Sequence, residues 1–388
     1  MGSESTRTPS QSKRMAEKGS GVTVMHPTFA RAGDCWPRPR AGSYPPTMWG
    51  MTTPSVVLVG NDKGGDISAF RLIDDELRLL ASTQVGVGCS TFAVDVDRAL
   101  VYVGVKDPHP AVVTLQLDRD TGALSELSRR DVDDPLAYLG LSGSTLLGAS
   151  YHGGWGASWP VVDGVLGDVV SRLEFRNLHA AVPGRDGRTA YFASLGEDLI
   201  AQYALHPDSS LTELPEATVA CPPGSGPRHL VLTDDGRSAY LITEFTGEAI
   251  RFDRAADGSL TRAEAVAAHA TDKGLGVSAY GRDPRADHLI WGADLGLADG
   301  GRWLVCSERT ESTIAAVALD GNGHLTDRVV ITGTEEQPRG LAVSPEGTRL
   351  VVVGERSGCA SLYRLDEGAL VHLHRVETGL GPDWVRFI

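Results

Sequence analysis

A short apolar strand pattern recurs seven times along the chain, and this repetition limits it to a few architectures. The repeat unit is a little under fifty residues long, with one insertion around 267–290 before the sixth copy. Periods of this length are typical of propellers, solenoids and other repeat arrays. The copies are VVLVGN at 56–61, LVYVGV at 100–105, TLLGASY at 145–151, TAYFAS at 189–194, SAYLIT at 238–243, WLVCSE at 303–308 and LVVVGE at 350–355.

Each copy belongs to a unit of four strands. A segment ending in a D-G-R type turn precedes it, as in LHAAVPGRDGR at 178–188, and a strand of alternating character follows it, as in DISAFRL at 66–72. A third hairpin, marked by turns such as Gly258-Ser-Leu260, leads to a weaker outer strand. The unit is therefore a four-stranded antiparallel sheet.

The two ends of the chain complete each other. No leading segment stands before Val56, whereas GPDWVRFI at 381–388 has the leading pattern but no following strand. Four-stranded units of this period close into a propeller, which pairs or hides its sheet edges. We predict an all-β seven-bladed β-propeller of four-stranded antiparallel blades, closed by the C-terminal strand. Two tandem sandwiches or a β-solenoid are the alternatives, but solenoid repeats are shorter and lack a terminal strand exchange.

Residues 1–50 lie outside the repeats. They are rich in Ser, Arg, Pro and Thr, hold seven Lys or Arg against three acids, and contain no apolar stretch of a secretory signal. We expect a disordered segment or an extension from a start codon assigned too early, with Met48 or Met51 as the true start. A weak transit peptide is a third interpretation. Residues 51–388 are predicted to form a single propeller domain.

Charge and hydropathy argue against two classes of partner. The 36 Lys plus Arg and 50 Asp plus Glu give a net charge of −14, which disfavours nucleic acid and anionic lipid. No window approaches the roughly 18 consecutive apolar residues needed to cross a bilayer. Cys35, Cys89, Cys221, Cys306 and Cys359 contain no CxxC pair, so we expect neither a disulfide framework nor a thiolate zinc site. A cytoplasmic monomer or weak homo-oligomer is predicted.

One face of the propeller is expected to collect polar side chains. Because adjacent strands are antiparallel, the start of each inner strand and the end of the following strand lie on the same face. We call this face the polar mouth; the D-G-R turns lie at the opposite mouth. Its candidates are His179, Arg228, His229, Asp294, Arg339, Asp383 and Trp384 from inner-strand starts, and Asn61, Lys106, Tyr151, His152, Glu244, Glu308, Arg309, Glu355 and Arg356 from the following strands.

Each candidate also has a structural interpretation. A lone histidine at a strand start is more often a hydrogen-bonded structural residue than a catalyst, and an arginine in a P-R-G turn can simply tie neighbouring blades together. Guanidinium groups, a carboxylate and an imidazole that converge in one concave mouth nevertheless favour a site that receives an anion and has a base available.

Several motifs resemble the seven-bladed lactonase family, which includes propeller-type bacterial 6-phosphogluconolactonases and fungal carboxymuconate cyclases. The motifs are GSGPRHLVLTDDGRSAYLITE at 224–244, SERTESTIAAVALDGNGHL at 307–325, EEQPRGLAVSPEGTRLVVVGE at 335–355 and GLGPDW at 379–384. The resemblance covers about 55–388. It implies catalytic roles for His179, Arg228, Glu244 and Arg309, and it places Arg339 and Trp384 on motif positions. It implies no metal, and we expect no cofactor.

Two features depart from the family pattern. Asp294-Leu295-Gly296 stands where close bacterial relatives tend to have D-I-H, so a second histidine is missing and the substrate is left open. The third blade contains an unusual GGWGASWP run at 153–160.

Lactone hydrolysis needs an activated water, an oxyanion stabiliser and a proton for the leaving oxygen. We assign His179 as general base or acid, Glu244 as its partner or the alternative base, and Arg228 as the oxyanion stabiliser. Arg309 and Arg339 would receive a phosphate or carboxylate, since guanidinium groups bind such anions bidentately. Tyr151, His229, Asp294, Arg339 and Trp384 complete the predicted substrate-binding set.

We therefore predict a metal-independent hydrolase that converts 6-phosphogluconolactone, a small anionic lactone, to 6-phosphogluconate in the pentose phosphate pathway of carbohydrate metabolism. A lactonase for another sugar acid and a carboxymuconate-type cycloisomerase are alternatives that would use the same mouth. A non-enzymatic propeller that binds a protein on its face is the alternative from a different class.

Overall fold

Seven antiparallel sheets make up residues 55–388, the part of the chain that the computed structural model describes. The predicted extension 1–50 lies outside these residues, so the predicted domain boundary stays a prediction. In chain order the strands are β1 (Val56–Asn61), β2 (Asp66–Ile73), β3 (Glu76–Gln84), β4 (Thr91–Asp95), β5 (Leu100–Val105), β6 (Ala111–Leu117), β7 (Leu124–Asp131), β8 (Tyr138–Ser142), β9 (Thr145–Ser150), β10 (Trp155–Val162), β11 (Val165–Leu166), β12 (Ser171–Glu174), β13 (Leu178–Pro183), β14 (Thr189–Ser194), β15 (Leu199–Leu205), β16 (Leu211–Ala220), β17 (Pro227–Leu232), β18 (Ser238–Thr243), β19 (Glu248–Arg254), β20 (Leu260–Ala267), β21 (Gly292–Ala298), β22 (Trp303–Glu308), β23 (Thr313–Leu319), β24 (Leu325–Gly333), β25 (Pro338–Val343), β26 (Arg349–Gly354), β27 (Cys359–Asp366), β28 (Ala369–Glu377) and β29 (Pro382–Phe387).

The sheets are the predicted blades. Six contain four strands, in the orders β29-β1-β2-β3, β4 to β7, β13 to β16, β17 to β20, β21 to β24 and β25 to β28. We number the blades by their second strand, so β1 belongs to blade 1 and β26 to blade 7. The predicted all-β seven-bladed propeller is confirmed.

The C-terminal strand closes the ring as predicted. β29 pairs antiparallel with β1, with Val59 opposite Val385 and Gly60 opposite Trp384. The ladder continues to the last residue, because the Ile388 amide donates to the Val56 carbonyl at 2.9 Å. The edge that β1 would otherwise expose is therefore covered by the other end of the chain.

Blade 3 is irregular, as its unusual sequence suggested. β10 pairs with β9 and β12, and the two-residue strand β11 forms an extra hairpin on the end of β10. The two tryptophans of the GGWGASWP run are buried: Trp159 lies in the core, and the Trp155 indole donates to Asp134 Oδ2 at 2.8 Å. The divergent motif is therefore used in packing.

The second strand of each blade is the most buried. Every residue of β1, β5, β9, β14, β18 and β22 is buried, which explains why these strands have continuous apolar sequences. Buried apolar side chains form seven clusters, and each cluster lies between two adjacent blades. The blades are thus held to their neighbours mainly by hydrophobic burial.

Tyrosine hydroxyls also link blades at the predicted hairpins. Tyr191 of blade 4 donates to the Gly258 carbonyl of blade 5 at 2.6 Å, and Tyr240 of blade 5 donates to Gly323 of blade 6 at 2.6 Å. Each hydroxyl gains a partner while its ring stays buried.

The insertion predicted around 267–290 connects β20 to β21, and it contains a 3₁₀ turn at Thr271–Lys273. A second 3₁₀ turn, Asp299–Gly301, follows β21. Because an outer strand ends and the next inner strand begins at the polar mouth, the insertion lies on that face. The Ser278 amide donates to the Phe245 carbonyl at 3.0 Å, while the nearby Tyr280 is exposed. None of the helical turns between residues 55 and 388 is long and apolar enough to cross a membrane.

Candidate active site

The polar mouth is shaped by a break in strand pairing that recurs around the ring. Where the inner strand of a blade begins, the ladder to the second strand skips a residue in five blades. The skipped residues are His179, Arg228, Arg339 and Asp383, together with the Ala293–Asp294 pair in blade 6. A β-bulge bends the strand and re-aims the side chain of the extra residue. Four polar side chains thus stand at equivalent positions around one mouth.

Blades 2 and 3 lack this irregularity, since β4 pairs with β5 and β8 with β9 without a register shift. These blades correspondingly place no charged residue at their inner-strand starts, Thr91 and Tyr138. The bulged part of the mouth therefore runs from blade 4 through blade 7 to blade 1.

Glu244 joins the two buried arginines. It directly follows β18, and its Oε2 accepts a hydrogen bond from Arg228 Nε at 2.9 Å and lies 3.0 Å from Arg309 Nη2. Burial raises the pKa of Glu244, but Arg309 and Arg228 outweigh this effect and hold the pKa below its usual range. Glu244 is therefore ionised at neutral pH, and the three groups together carry one positive charge.

Both arginines are fixed by backbone carbonyls. Arg228 Nη1 donates to the Ala293 carbonyl, and Arg309 donates from Nη2 to Gly292 at 2.9 Å and from Nε to Trp291 at 3.3 Å. The Arg309 guanidinium also stacks on the Trp291 ring, 3.8 Å from its centroid. Each side chain is only 2% exposed. Restrained guanidinium groups of this kind are preorganised to bind an oxyanion.

A glycine permits this arrangement. A Cβ added to Gly292, the first residue of β21, would lie 2.2 Å from the Thr243 carbonyl at the end of β18. Blades 5 and 6 can therefore approach closely at the point where the Gly292 carbonyl accepts from Arg309.

His179 faces this cluster as an uncharged imidazole. Its ring packs edge-on against Tyr151 and His229, with centroid separations of 5.6 and 5.1 Å. Burial, followed by the charge of Arg228, lowers the pKa of His179 well below its usual range. Its Nδ1 has no hydrogen-bond partner within residues 55–388. A buried polar nitrogen without a partner is costly, and a bound substrate or water would satisfy it.

Tyr151 extends the site next to His179. Burial raises the pKa of Tyr151 to about 12, so its hydroxyl is protonated and can donate a hydrogen bond.

Arg339 is the accessible cation among the bulged residues. Its side chain is 35% exposed, and it lies 3.6 Å from Glu355 and 3.7 Å from Asp383. Glu355 is shared, because it also accepts from Gln337 at 2.7 Å and lies 3.2 Å from Lys63 Nζ. Arg339 thus reaches solvent with an incompletely neutralised charge.

Three other predicted substrate-binding residues lie one residue deeper along their strands. His229 Nδ1 and Asp294 Oδ1 are 2.8 Å apart, and the second Asp294 oxygen accepts from the Leu341 amide at 3.1 Å. Trp384 donates its indole hydrogen to the Phe92 carbonyl at 2.9 Å. Burial and Arg228 lower the pKa of His229 to about 4. The polar atoms of these residues are thus largely occupied, which favours a supporting position beneath the mouth.

His229 and Asp294 also line a cavity of about 1660 Å³ that opens at the opposite mouth, between the turns that join inner and second strands. The sequence of those turns indicated only a structural role and did not indicate a cavity there. His179, Arg228, Glu244 and Arg309 do not line it. The His229–Asp294 pair therefore lies at the wall of that cavity, beneath the polar mouth.

Two residues that belong to the site were given no role from the sequence. Trp291, which supports Arg309, belongs to a W-G-A-D run just before β21, and only the stacking distance reveals its role. Asp383 was a mouth candidate without a function, and its equivalence to His179 becomes visible only through the bulge. Within residues 55–388, no group of three or more His, Cys, Asp or Glu side chains is arranged to hold a metal ion.

The seven-bladed propeller fold agrees with the family to which the sequence is similar. Residues 50–387 match the family described as Lactonase, 7-bladed beta-propeller, so the chain belongs to that family. It is a lactone-hydrolysing enzyme, and its substrate is a small lactone.

Three named proteins show the extent of the similarity. A 6-phosphogluconolactonase of Sodalis glossinidius is 30% identical over 305 residues, which cover 74% of this chain and 85% of that protein. A crystal structure of a provisional 6-phosphogluconolactonase from Bacteroides fragilis superposes with a TM-score of 0.77 at 25% identity, covering 89% of this chain and 100% of the other. The periplasmic gluconolactonase of Pseudomonas aeruginosa gives a TM-score of 0.74 at 25% identity, covering 86% and 99%.

Proposed function

We propose that this enzyme hydrolyses 6-phosphogluconolactone to 6-phosphogluconate at the polar mouth. The observation that carries this proposal is the pair of restrained guanidinium groups on Glu244, together with the neutral imidazole of His179, whose Nδ1 has no hydrogen-bond partner in the described chain. The named 6-phosphogluconolactonase relatives support this choice of lactone. A gluconolactonase acting on the unphosphorylated sugar lactone is the second candidate, because a structural relative carries that name.

His179 is proposed as the general base. A neutral imidazole can accept a proton from water, and the lowered pKa of His179 keeps it neutral at physiological pH. Ionised Glu244 is held by two arginines, so its role is to position them rather than to donate a proton. We therefore propose the histidine rather than Glu244, the other base that the sequence left open.

Arg228 and Arg309 are proposed to stabilise the oxyanion. Each guanidinium uses two nitrogens for bonds within its own cluster: Nε and Nη1 in Arg228, and Nε and Nη2 in Arg309. Arg228 Nη2 and Arg309 Nη1 remain for the lactone carbonyl oxygen as it gains charge. Donors that are already oriented need no reorganisation during the reaction, which is the main source of such stabilisation.

Arg339 is proposed to bind the phosphate, because it is the exposed cation of the bulged set. Replacing it by alanine should mainly raise KM, and it should raise KM more for the phosphorylated lactone than for its unphosphorylated analogue. Steady-state kinetics on both lactones measures the difference. Arg349→Ala is the matched control. That arginine is 32% exposed and belongs to the same blade, but it lies at the opposite mouth, where it pairs with Asp75. Equal effects of Arg339→Ala on the two lactones would contradict phosphate binding and favour the unphosphorylated substrate.

The cellular setting is also proposed. The product would enter the pentose phosphate pathway of carbohydrate metabolism, and a phosphorylated substrate favours a cytoplasmic enzyme. Cys89, Cys221, Cys306 and Cys359 are buried free thiols, which agrees with a reducing compartment. We further propose a monomer or weak homo-oligomer that needs neither nucleic acid nor membrane, consistent with its net charge of −14.

A further inference from the structure

We propose that Asp383 is the proton donor to the ring oxygen that leaves when the lactone opens. The proposal rests on the proposed lactone hydrolysis and completes it, because with His179 as the base the proposed roles include oxyanion donors but no separate acid. The first observation is positional. Asp383 is skipped by the β29–β1 ladder just as His179 is skipped by the β13–β14 ladder. The two residues occupy equivalent bulges in blades 1 and 4, on different sides of the mouth.

The second observation is the state of the carboxyl group. Asp383 is 2% exposed, and its Oδ1 has no hydrogen-bond partner in the described chain. Its Oδ2 lies 3.7 Å from Arg339 Nε, which is longer than a direct hydrogen bond. A carboxylate whose only task is to orient Arg339 would be expected at hydrogen-bond distance, as Glu244 is from Arg228. The buried Oδ1 atom of Asp383 is therefore left unsatisfied, and such a group in a folded protein calls for a functional explanation.

The charged groups around Asp383 favour its protonated form. Burial, with the negative charges of Asp62 and Glu355, raises the pKa of Asp383 to about 8 against the opposing effect of Arg339 and Lys106. Asp62 and Glu355 already have cationic partners of their own, Lys106 at 2.9 Å and Lys63 at 3.2 Å. At neutral pH Asp383 thus holds a proton that it can donate.

The reaction balances with these groups. His179 takes a proton from water as the water oxygen bonds to the lactone carbonyl carbon, and the carbonyl oxygen becomes an oxyanion between Arg228 and Arg309. When the carbonyl re-forms, the bond from carbon to the ring oxygen breaks, and Asp383 transfers its proton to that oxygen. The product acid releases a proton to solvent. The proton on His179 then returns through water to the Asp383 carboxylate beside Arg339, which restores both groups.

The proton-donor role can be tested with two lactones whose leaving groups differ in their need for a proton. A sugar δ-lactone expels an alkoxide, which needs a proton, whereas an aryl lactone such as dihydrocoumarin expels a phenolate, which does not. Asp383→Asn should therefore lower kcat/KM for the sugar lactone by at least roughly a hundredfold, the usual scale for losing an acid. The loss on the aryl lactone should be much smaller. Asp62→Asn is the comparison variant, an acid of the same cluster without a bulge. Because the Asp62 charge raises the pKa of Asp383, this variant should move the pH dependence to lower pH and lower kcat/KM for the sugar lactone far less than Asp383→Asn does.

A pH profile gives an independent readout. In the parent enzyme, kcat/KM above the spontaneous rate should fall as pH rises through about 8, where Asp383 loses its proton. Asp383→Asn should remove this alkaline decline.

The Asp383 carboxyl also affects the stability of the fold. Its pKa is about 8 in the folded protein and about 3.9 in the unfolded chain, so the stability that the protonated carboxyl contributes is lost as the pH rises from about 4 to about 8. The Tm of Asp383→Asn relative to the parent should therefore increase between pH 6 and pH 9.

The possible results distinguish failure of the proton-donor role from failure of the proposed function. Equal losses on the two lactones, or an unchanged alkaline decline, would overturn the proton-donor role and show that Asp383 only positions Arg339. Wild-type rates in Asp383→Asn would overturn it as well. A parent enzyme inactive on both lactones would instead overturn the proposed function, and the donor role with it.

Discussion

Removing the closing strand should abolish the folded propeller. A chain ending at Thr378 would lose β29, including the buried core residues Trp384, Val385 and Ile388, and it would leave β1 as an open edge. Large buried side chains each contribute about 2–5 kcal/mol, and a whole domain is stable by only about 5–15 kcal/mol. The loss of the strand therefore approaches or exceeds the total stability. We expect aggregation or a chain without a cooperative thermal transition.

Differential scanning calorimetry and size-exclusion chromatography would measure this outcome. A chain lacking only the residue after β29, Ile388, is the matched control and should keep the fold with a lower Tm. Adding a peptide of residues 379–388 to the truncated chain should restore a cooperative transition. A soluble, fully active monomer without β29 would contradict closure by the C-terminal strand.

Alanine at Arg228 or His179 should each lower kcat/KM for the preferred lactone by at least roughly a hundredfold. Loss of an oxyanion donor or of an acid–base group has effects of this size. In the Arg228 variant Glu244 keeps Arg309 at 3.0 Å, so its charge stays paired and the fold should survive. In the His179 variant a nitrogen without a hydrogen-bond partner disappears, which costs little stability.

Kinetics combined with circular dichroism separates catalysis from folding. Arg251→Ala is the matched control, because Arg251 is also a buried arginine, 6% exposed, but pairs with Asp253 and Glu264 away from the polar mouth. It should lower Tm and leave kcat/KM within a few-fold of the parent. Near wild-type rates in both site variants would show that catalysis takes place elsewhere on the protein and would contradict the polar mouth as the active site.

The architecture could be predicted because its signals are local. The second strands are buried on both faces, so each is a continuous apolar run, and their predicted limits agree with the structure to within one residue. Closure could be predicted as well, since the count of leading segments left one unpartnered strand at each end. Antiparallel pairing then placed Glu244 and Arg228, sixteen positions apart, on the same face.

Other parts of the site depend on geometry that the sequence pattern does not reveal. A bulge shifts pairing by one residue, so the charged residue of P-R-H and of P-D-W faces the mouth, whereas the aromatic residue after it packs below. Trp384 was predicted to bind substrate from its motif, but its indole hydrogen is bound to Phe92. Likewise, no spacing rule indicates that His229 and Asp294 would pair and line a cavity at the opposite mouth.

The central claim is tested most directly by comparing the parent enzyme on 6-phosphogluconolactone and on glucono-δ-lactone, with spontaneous hydrolysis measured in parallel. We expect the enzyme to hydrolyse the phosphorylated lactone well above its spontaneous rate of hydrolysis. We also expect a kcat/KM roughly tenfold or more higher for that lactone than for the unphosphorylated one, equivalent to about 1.4 kcal/mol from binding the phosphate. Rates equal to the spontaneous background on both lactones would contradict the proposed function.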